Sequence, residues 1–288
     1  MSLKLNKHFI KRICYFLLAA VGLLIVFYPN ISNAWNDYRT GQLMSEYTAA
    51  EMSLEVSEKE KILQAARTYN SKLSGRQVPD TFLEHEHVPD YLYESQLNLL
   101  HDGIMGEIEI PCIKIRIPIY HYTDEETLKK GAGHLPGSAL PVGGRGTHSV
   151  ISAHRGLTDK KLFTDLDRLR KGNLFYIHVL GSTLAYEVDH ISVVEPRDTG
   201  KLAAEQDRDF ITLLTCTPYG VNSHRLLVRG TRIGFNPDQY SEEQLHQAPP
   251  ARTSVIRRLF CVGIGFLIAV LLNRMFGFFS GKFLNKAN

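Results

Sequence analysis

The chain has almost no excess of either charge: 33 lysines and arginines stand against 30 acids in 288 residues, a formal net charge of +3. That balance excludes nucleic acid as a polyelectrolyte partner. Cysteine is scarce as well, with four in total. Cys14 and Cys261 fall within apolar runs, so only Cys112 and Cys216 remain between them. Two thiols are too few for a disulfide framework, and at least one free thiol needs an explanation. The glycine-rich stretch 131–146 has no Gly-Lys-Ser/Thr ending, which excludes a phosphate cradle and leaves a long loop of the kind that borders functional sites. His85 and His87 flank Glu86 with no third ligand at metal spacing, so no metal centre is expected.

What is present is a folding chain, 44% hydrophobic and 22% charged, whose apolar residues are concentrated at the two ends. Residues 13–35 carry no formal charge, and residues 259–281 carry only Arg274. A bilayer core needs about 20 apolar helical residues, so both blocks qualify as transmembrane anchors. Lys4, Lys7, Lys11 and Arg12 precede the first block, which puts residues 1–12 in the cytoplasm and the chain after Trp35 outside. Ser32-Asn33-Ala34 supports a competing reading as the cleavage site of a signal peptide. Either way the middle of the chain faces outward, joined by a linker, 236–258, to the second anchor and a cytoplasmic tail, 282–288.

Between the anchors, residues 37–105 are a helical segment, with helix formers over 41–73 and a solvated charge run at 55–61. From Gly106 the period changes to two. Ile108 and Ile110 alternate with Glu107 and Glu109; after Pro111-Cys112 the apolar parity switches to Ile113, Ile115, Ile117 and Ile119. The Pro-Cys step is expected as a bend or bulge that resets the buried face. Further strands are expected at 149–153, 174–179, 183–194, 210–215 and 225–233, with short helices at 125–130 and 161–169. The fold class is mainly β, a closed barrel or sandwich over 106–235 behind the N-terminal helical segment.

The sharpest local signal is the run from Asp209 to Arg229. Cys216 ends an apolar strand just before the turn Thr217-Pro218-Tyr219-Gly220, a rigid and accessible place for a nucleophile. Arg225 returns on the next strand, where a guanidinium stabilises a thiolate or an oxyanion. The bland alternative is a buried cysteine with a surface arginine. A nucleophilic cysteine also needs a base. His154 occupies a similar strand end, after Ser149-Val150-Ile151-Ser152-Ala153, while His134 and His224 are rivals that spacing does not separate.

The run Thr212-Leu213-Leu214-Thr215-Cys216 resembles the Thr-Leu-x-Thr-Cys signature of sortases, the membrane-bound cysteine transpeptidases of Gram-positive bacteria. Arg225 matches the family's arginine in the following strand, and His154 matches its histidine within Ser152-Ala153-His154-Arg155-Gly156. The similarity extends from Gly106 to Ile233, and the two anchors with a helical segment resemble class C, the pilin-polymerising sortases. The resemblance implies an eight-stranded β-barrel and a thiol acyl transfer. Cys216 would attack an LPxTG-like sorting signal, His154 would serve as acid and base, Arg225 would hold the oxyanion, and Thr215 would contact substrate. Pilin subunits would be the partners, with no cofactor, on a plasma membrane with the catalytic domain outside. A cell-wall-anchoring sortase using a peptidoglycan amine and a non-enzymatic pilus scaffold are the alternatives. The chain carries no LPxTG signal of its own. It also departs from class C in its lid: residues 74–91 contain Pro79-Asp80 and Pro89-Asp90-Tyr91 where an Asp-Pro-aromatic order is usual. An altered plug is expected, with Asp80, Phe82 or Tyr91 as substitutes.

Overall fold

A computed structural model describes residues 7–73, 90–157 and 159–245. The second apolar block, most of the lid stretch with Asp80 and Phe82, and His85 and His87 lie outside them. The chain divides into two units, residues 1–31 with 248–288, and residues 32–247. In the first, the described part is the leading half of helix α1 (Lys7–Ser53). This is the one helix among the described residues long and apolar enough to cross a membrane, with mean hydropathy 1.8. Phe16, Leu18, Leu24 and Ile25 stand exposed on it.

In the second unit eight strands close into a barrel: β1 (Ile104–Ile110), β2 (Ile115–His121), β3 (Ala132–His134), β4 (Thr147–Ser152), β5 (Leu174–Val179), β6 (Ser182–Val194), β7 (Asp209–Thr217) and β8 (His224–Ile233). Their order around the barrel is β1-β2-β3-β4-β7-β8-β6-β5. The pairs β2/β3 and β4/β7 are parallel and the rest antiparallel. Closure leaves no free edge, and the interior is filled by Ile108, Ile119, Ile177, Leu213 and Val228, all fully buried. Each such side chain contributes about 1.5–3 kcal/mol by leaving water.

The Pro-Cys step is a chain reversal rather than a bend within one strand. Pro111–Ile113 form a single 3-10 turn, Lys114 takes a left-handed φ of 55°, and Ile110 pairs with Ile115. Residues directly opposed in an antiparallel pair share a face, so Ile108 meets Ile117 and Ile110 meets Ile115. The parity switch therefore comes from the even-numbered turn. The stretch 161–169 holds only a 3-10 turn, Leu166–Arg168, in place of the expected helix. Glu125–Lys130 is helical and is α4 in chain order.

Helix α2 (Val56–Ser71) starts at a capping box between Glu55 and Glu58. It places Leu63 and Ala66 in the main core, and the Asn70 side chain bonds both the N–H (2.7 Å) and the carbonyl (3.1 Å) of Leu140. Short helix α3 (Tyr91–Glu94) is capped by Asp90, which accepts from Leu92 and Tyr93. Tyr91, the described member of the expected plug, is 82% exposed. In the stretch expected to link barrel and second anchor, Pro237–Leu245 form α5, which seats Tyr240 against Leu174, Tyr176 and Ala185. The Tyr240 hydroxyl donates to Glu109 at 2.9 Å, so a carboxylate on the polar side of the β1 alternation ends up buried.

Candidate active site

Cys216 and Arg225 are direct partners in the β7/β8 register. The two-residue alternation sends both side chains to the outer side of the barrel, and Arg225 Nη1 reaches Cys216 Sγ at 3.7 Å. Arg225 is buried, and the same nitrogen lies 3.4 Å from the carbonyls of Asn222 and His224, which aim the guanidinium at the sulfur. Cys216 is half-buried, whereas Cys112 is exposed at the tip of the β1/β2 turn, where burial of its sulfur and Glu243 push its thiol upward.

His154 lies just past the end of β4, whose parallel ladder with β7 ends at the Ser152–Leu214 pair, two residues before His154 and Cys216. Ala153 N–H donates to Leu214 O at 3.2 Å, and Phe163 N–H donates to His154 O at 3.1 Å, which fixes the backbone at this strand end. His154 is half-buried; desolvation holds its imidazole below the usual histidine range, while Glu125 on α4 pulls it up and Lys129 pushes it down.

Thr215 is wholly buried, on the opposite face of β7 from Cys216. Its Oγ1 donates to Ala153 O at 2.8 Å, so the hydroxyl is committed to joining the two strands rather than offered to the groove. The rivals for the base are placed elsewhere. His224 pairs with Thr217, is exposed, and has Nδ1 2.8 Å from Ser223 Oγ. His134 is fully buried with both ring nitrogens engaged, Nδ1 by the Tyr93 hydroxyl (2.7 Å) and Nε2 by Ala139 O (2.8 Å).

One neighbour went unassigned on sequence grounds, and its position directly after His154 was the available signal. The Arg155 side chain is buried; its guanidinium pairs with Asp167 at 2.5 Å, donates to Thr217 Oγ1 at 3.2 Å, and lies 5.9 Å over the Tyr219 ring. It thus fastens the residue after His154 to the residue after Cys216. At Gly156, with φ +82°, a Cβ would meet Tyr219 at 2.9 Å, so glycine is needed for this close approach.

A closed β-barrel that presents a half-buried thiol beside a guanidinium and a histidine is the framework of a cysteine enzyme. The sortase-domain family model matches residues 108–233. A Bacillus anthracis protein named sortase A is 28% identical over 146 residues, covering 51% of this chain and 68% of that one. The crystal structure of sortase C-1 from Actinomyces oris is 44% identical with a TM-score of 0.60, covering 62% of this chain and 99% of that one. Sortase C from Streptococcus pneumoniae is 42% identical with a TM-score of 0.64, covering 68% and 98%. The chain belongs to the sortase family of cysteine transpeptidases, and its solved structural neighbours are class C members.

Proposed function

We propose that this sortase is a class C enzyme that joins pilin subunits covalently. The reading is carried by the Cys216–Arg225 pair at 3.7 Å beside the strand end of His154, on a chain whose solved neighbours include a pneumococcal sortase C described for its pilin substrate specificity. Cys216 passes its thiol proton to His154 as Sγ attacks the threonyl carbonyl of an LPxTG-like signal, and the carbonyl π electrons move onto oxygen, where Arg225 stabilises the charge. Collapse of that intermediate breaks the Thr–Gly bond, and His154 gives a proton to the departing glycine amine. A lysine amine of a second pilin then attacks the thioester and loses a proton to His154, which returns it to the departing Cys216 sulfur, leaving an isopeptide bond and the free thiol. Thr215 acts one step removed, by holding the two strands together. The apolar part of α1 anchors the enzyme in the plasma membrane with the barrel outside, and residues 259–281 supply a second anchor.

The test uses the full chain in detergent with an LPxTG-type peptide and mass spectrometry. A covalent acyl adduct on Cys216 that disappears in Cys216→Ala is expected, followed by transfer to a lysine-bearing peptide. Transfer to a peptidoglycan-type amine in preference to lysine would assign the enzyme to wall anchoring instead, and a folded protein with no adduct would overturn the acyl-transfer reading.

A further inference from the structure

We infer that Lys160 is a positioning residue for the acid–base step: it fastens helix α4 to the turn that follows His154 and so sets the charges that face the imidazole. The inference deepens the acyl-transfer reading above and rests on it. The turn is closed at its base, where Phe163 N–H donates to His154 O at 3.1 Å and Gly156 N–H donates to Thr164 Oγ1 at 3.1 Å. Leu162 and Phe163 hold it in the main core. From this turn the Lys160 ammonium donates to two carbonyls at the end of α4, Lys129 O at 2.7 Å and Lys130 O at 3.1 Å. The preceding carbonyl, Asp159 O, accepts from Asn36 Nδ2 on α1 at 2.8 Å. One short stretch thus joins α1 and α4 to the histidine.

Helix α4 depends on such support, because its six residues are too few to hold a helix unaided. Its start is capped by Asp124, which accepts from the Thr127 N–H at 2.9 Å and the Thr127 hydroxyl at 2.7 Å. Its last carbonyls have no partner within the helix, and Lys160 supplies the cation that this end favours. Between the two ends Leu128 is buried and lies 3.1 Å from where a Cβ on Gly133 would stand, so α4 rests directly on β3. Gly133 in turn pairs with Ser152, two residues before His154.

The helix carries an ion pair, Glu125 with Lys129 at 2.5 Å, and both members act on His154: Glu125 pulls its pKa up and Lys129 pushes it down. The other charged groups on the elements around His154 are Glu126 and Lys130 on α4, Arg155 on its own turn, engaged by Asp167, and Arg225 beside Cys216. Since the two influences from α4 oppose each other, their balance depends on the pose of the helix and on Lys129 staying in its last turn. Lys160 grips the backbone of Lys129 itself.

The experiment measures transfer from an LPxTG-type peptide to a lysine-bearing peptide, on the full chain in detergent, for wild type, Lys160→Met, Lys160→Arg and Asn36→Asp. In Lys160→Met the turnover number is expected to fall about tenfold with KM little changed, because binding survives while the acid and base are displaced. Iodoacetamide alkylation of Cys216 should stay within about twofold. The pH limb that reports His154 should move upward, since a frayed last turn withdraws Lys129; Lys129→Met should move it the same way, Glu125→Gln the opposite way, and high salt should shrink all three shifts. Lys160→Arg, which keeps a cation on the helix end, should recover most of the loss, and Asn36→Asp, which removes the donor to Asp159, should show the same pattern at about threefold. A Lys160→Met enzyme with wild-type turnover, or one that loses transfer and alkylation equally with an unmoved pH limb, would overturn the assignment and leave the acyl-transfer reading in place. A wild type that forms no acyl adduct although iodoacetamide alkylates Cys216 would overturn both.

Discussion

The Thr215 hydroxyl and the Ala153 carbonyl, 2.8 Å apart, join the strand that carries Cys216 to the strand end that carries His154. The contact is a positioning device, because neither group faces the groove. Thr215→Val keeps the shape and removes the donor, leaving a buried carbonyl unpaired at a cost of about 1–2 kcal/mol. Peptide transfer should fall about tenfold, since a small displacement of acid and base relative to nucleophile is enough for that. Alkylation of Cys216 by iodoacetamide should stay within about twofold, because that reaction needs no partner histidine in register. Equal losses in both reactions would assign Thr215 to general stability.

The strands around this contact were legible because alternation is a strong signal where one face is buried, and β5 and β6 fall close to where the period of two places them. Cys216 and Arg225 were legible as neighbours because a short turn between two apolar runs fixes a hairpin register. His154 was not separable from His134 and His224 by spacing, since β4, which leads to it, is brought beside β7 by a parallel pairing of residues 62 apart, which no local pattern encodes. The parity switch at Pro111-Cys112 was visible and its cause was not, because a bulge and an even-numbered turn leave the same mark on one strand of sequence. The burial of Glu109 depends on α5, more than a hundred residues later, so the local alternation read it as solvated.

Arg225 sets a guanidinium within reach of the thiol, where its charge can answer an oxyanion, and its aim depends on carbonyls at 3.4 Å. Arg225→Ala is expected to lower the acylation rate about 100-fold or more, in the range seen when an oxyanion donor is removed. Arg225→Lys should recover only part of this, because an ammonium cannot replace the planar fork that meets sulfur and both carbonyls together. Full recovery by lysine would reduce the role of Arg225 to simple charge.

Arg155 links two loops through one guanidinium, to Asp167 and to Thr217. Arg155→Lys retains the charge but cannot span both partners. The turnover number for transfer should fall several-fold with little change in KM, because the substrate groove is intact while the residues after His154 and Cys216 lose their tie. A change confined to KM would place Arg155 in substrate binding instead.

His134 provides the clearest pH signature. Burial lowers its pKa from 6.5 to about 4, and the neutral ring is held between the Tyr93 hydroxyl at Nδ1 and the Ala139 carbonyl at Nε2. As pH falls through 6.5 the unfolded chain binds a proton here and the folded chain does not. The contribution to stability is therefore complete above 6.5 and is lost as pH falls from 6.5 toward 4, by about 3 kcal/mol on an order-of-magnitude scale. His121 and His148, also lowered by burial, act in the same direction. Denaturant midpoints of the full chain in detergent, followed by circular dichroism, should decline from neutral pH to about pH 4.5. In His134→Gln, whose amide can occupy the site without titrating, the midpoint should start lower and decline less steeply. An identical slope in the two proteins would show that His134 does not carry the acid sensitivity.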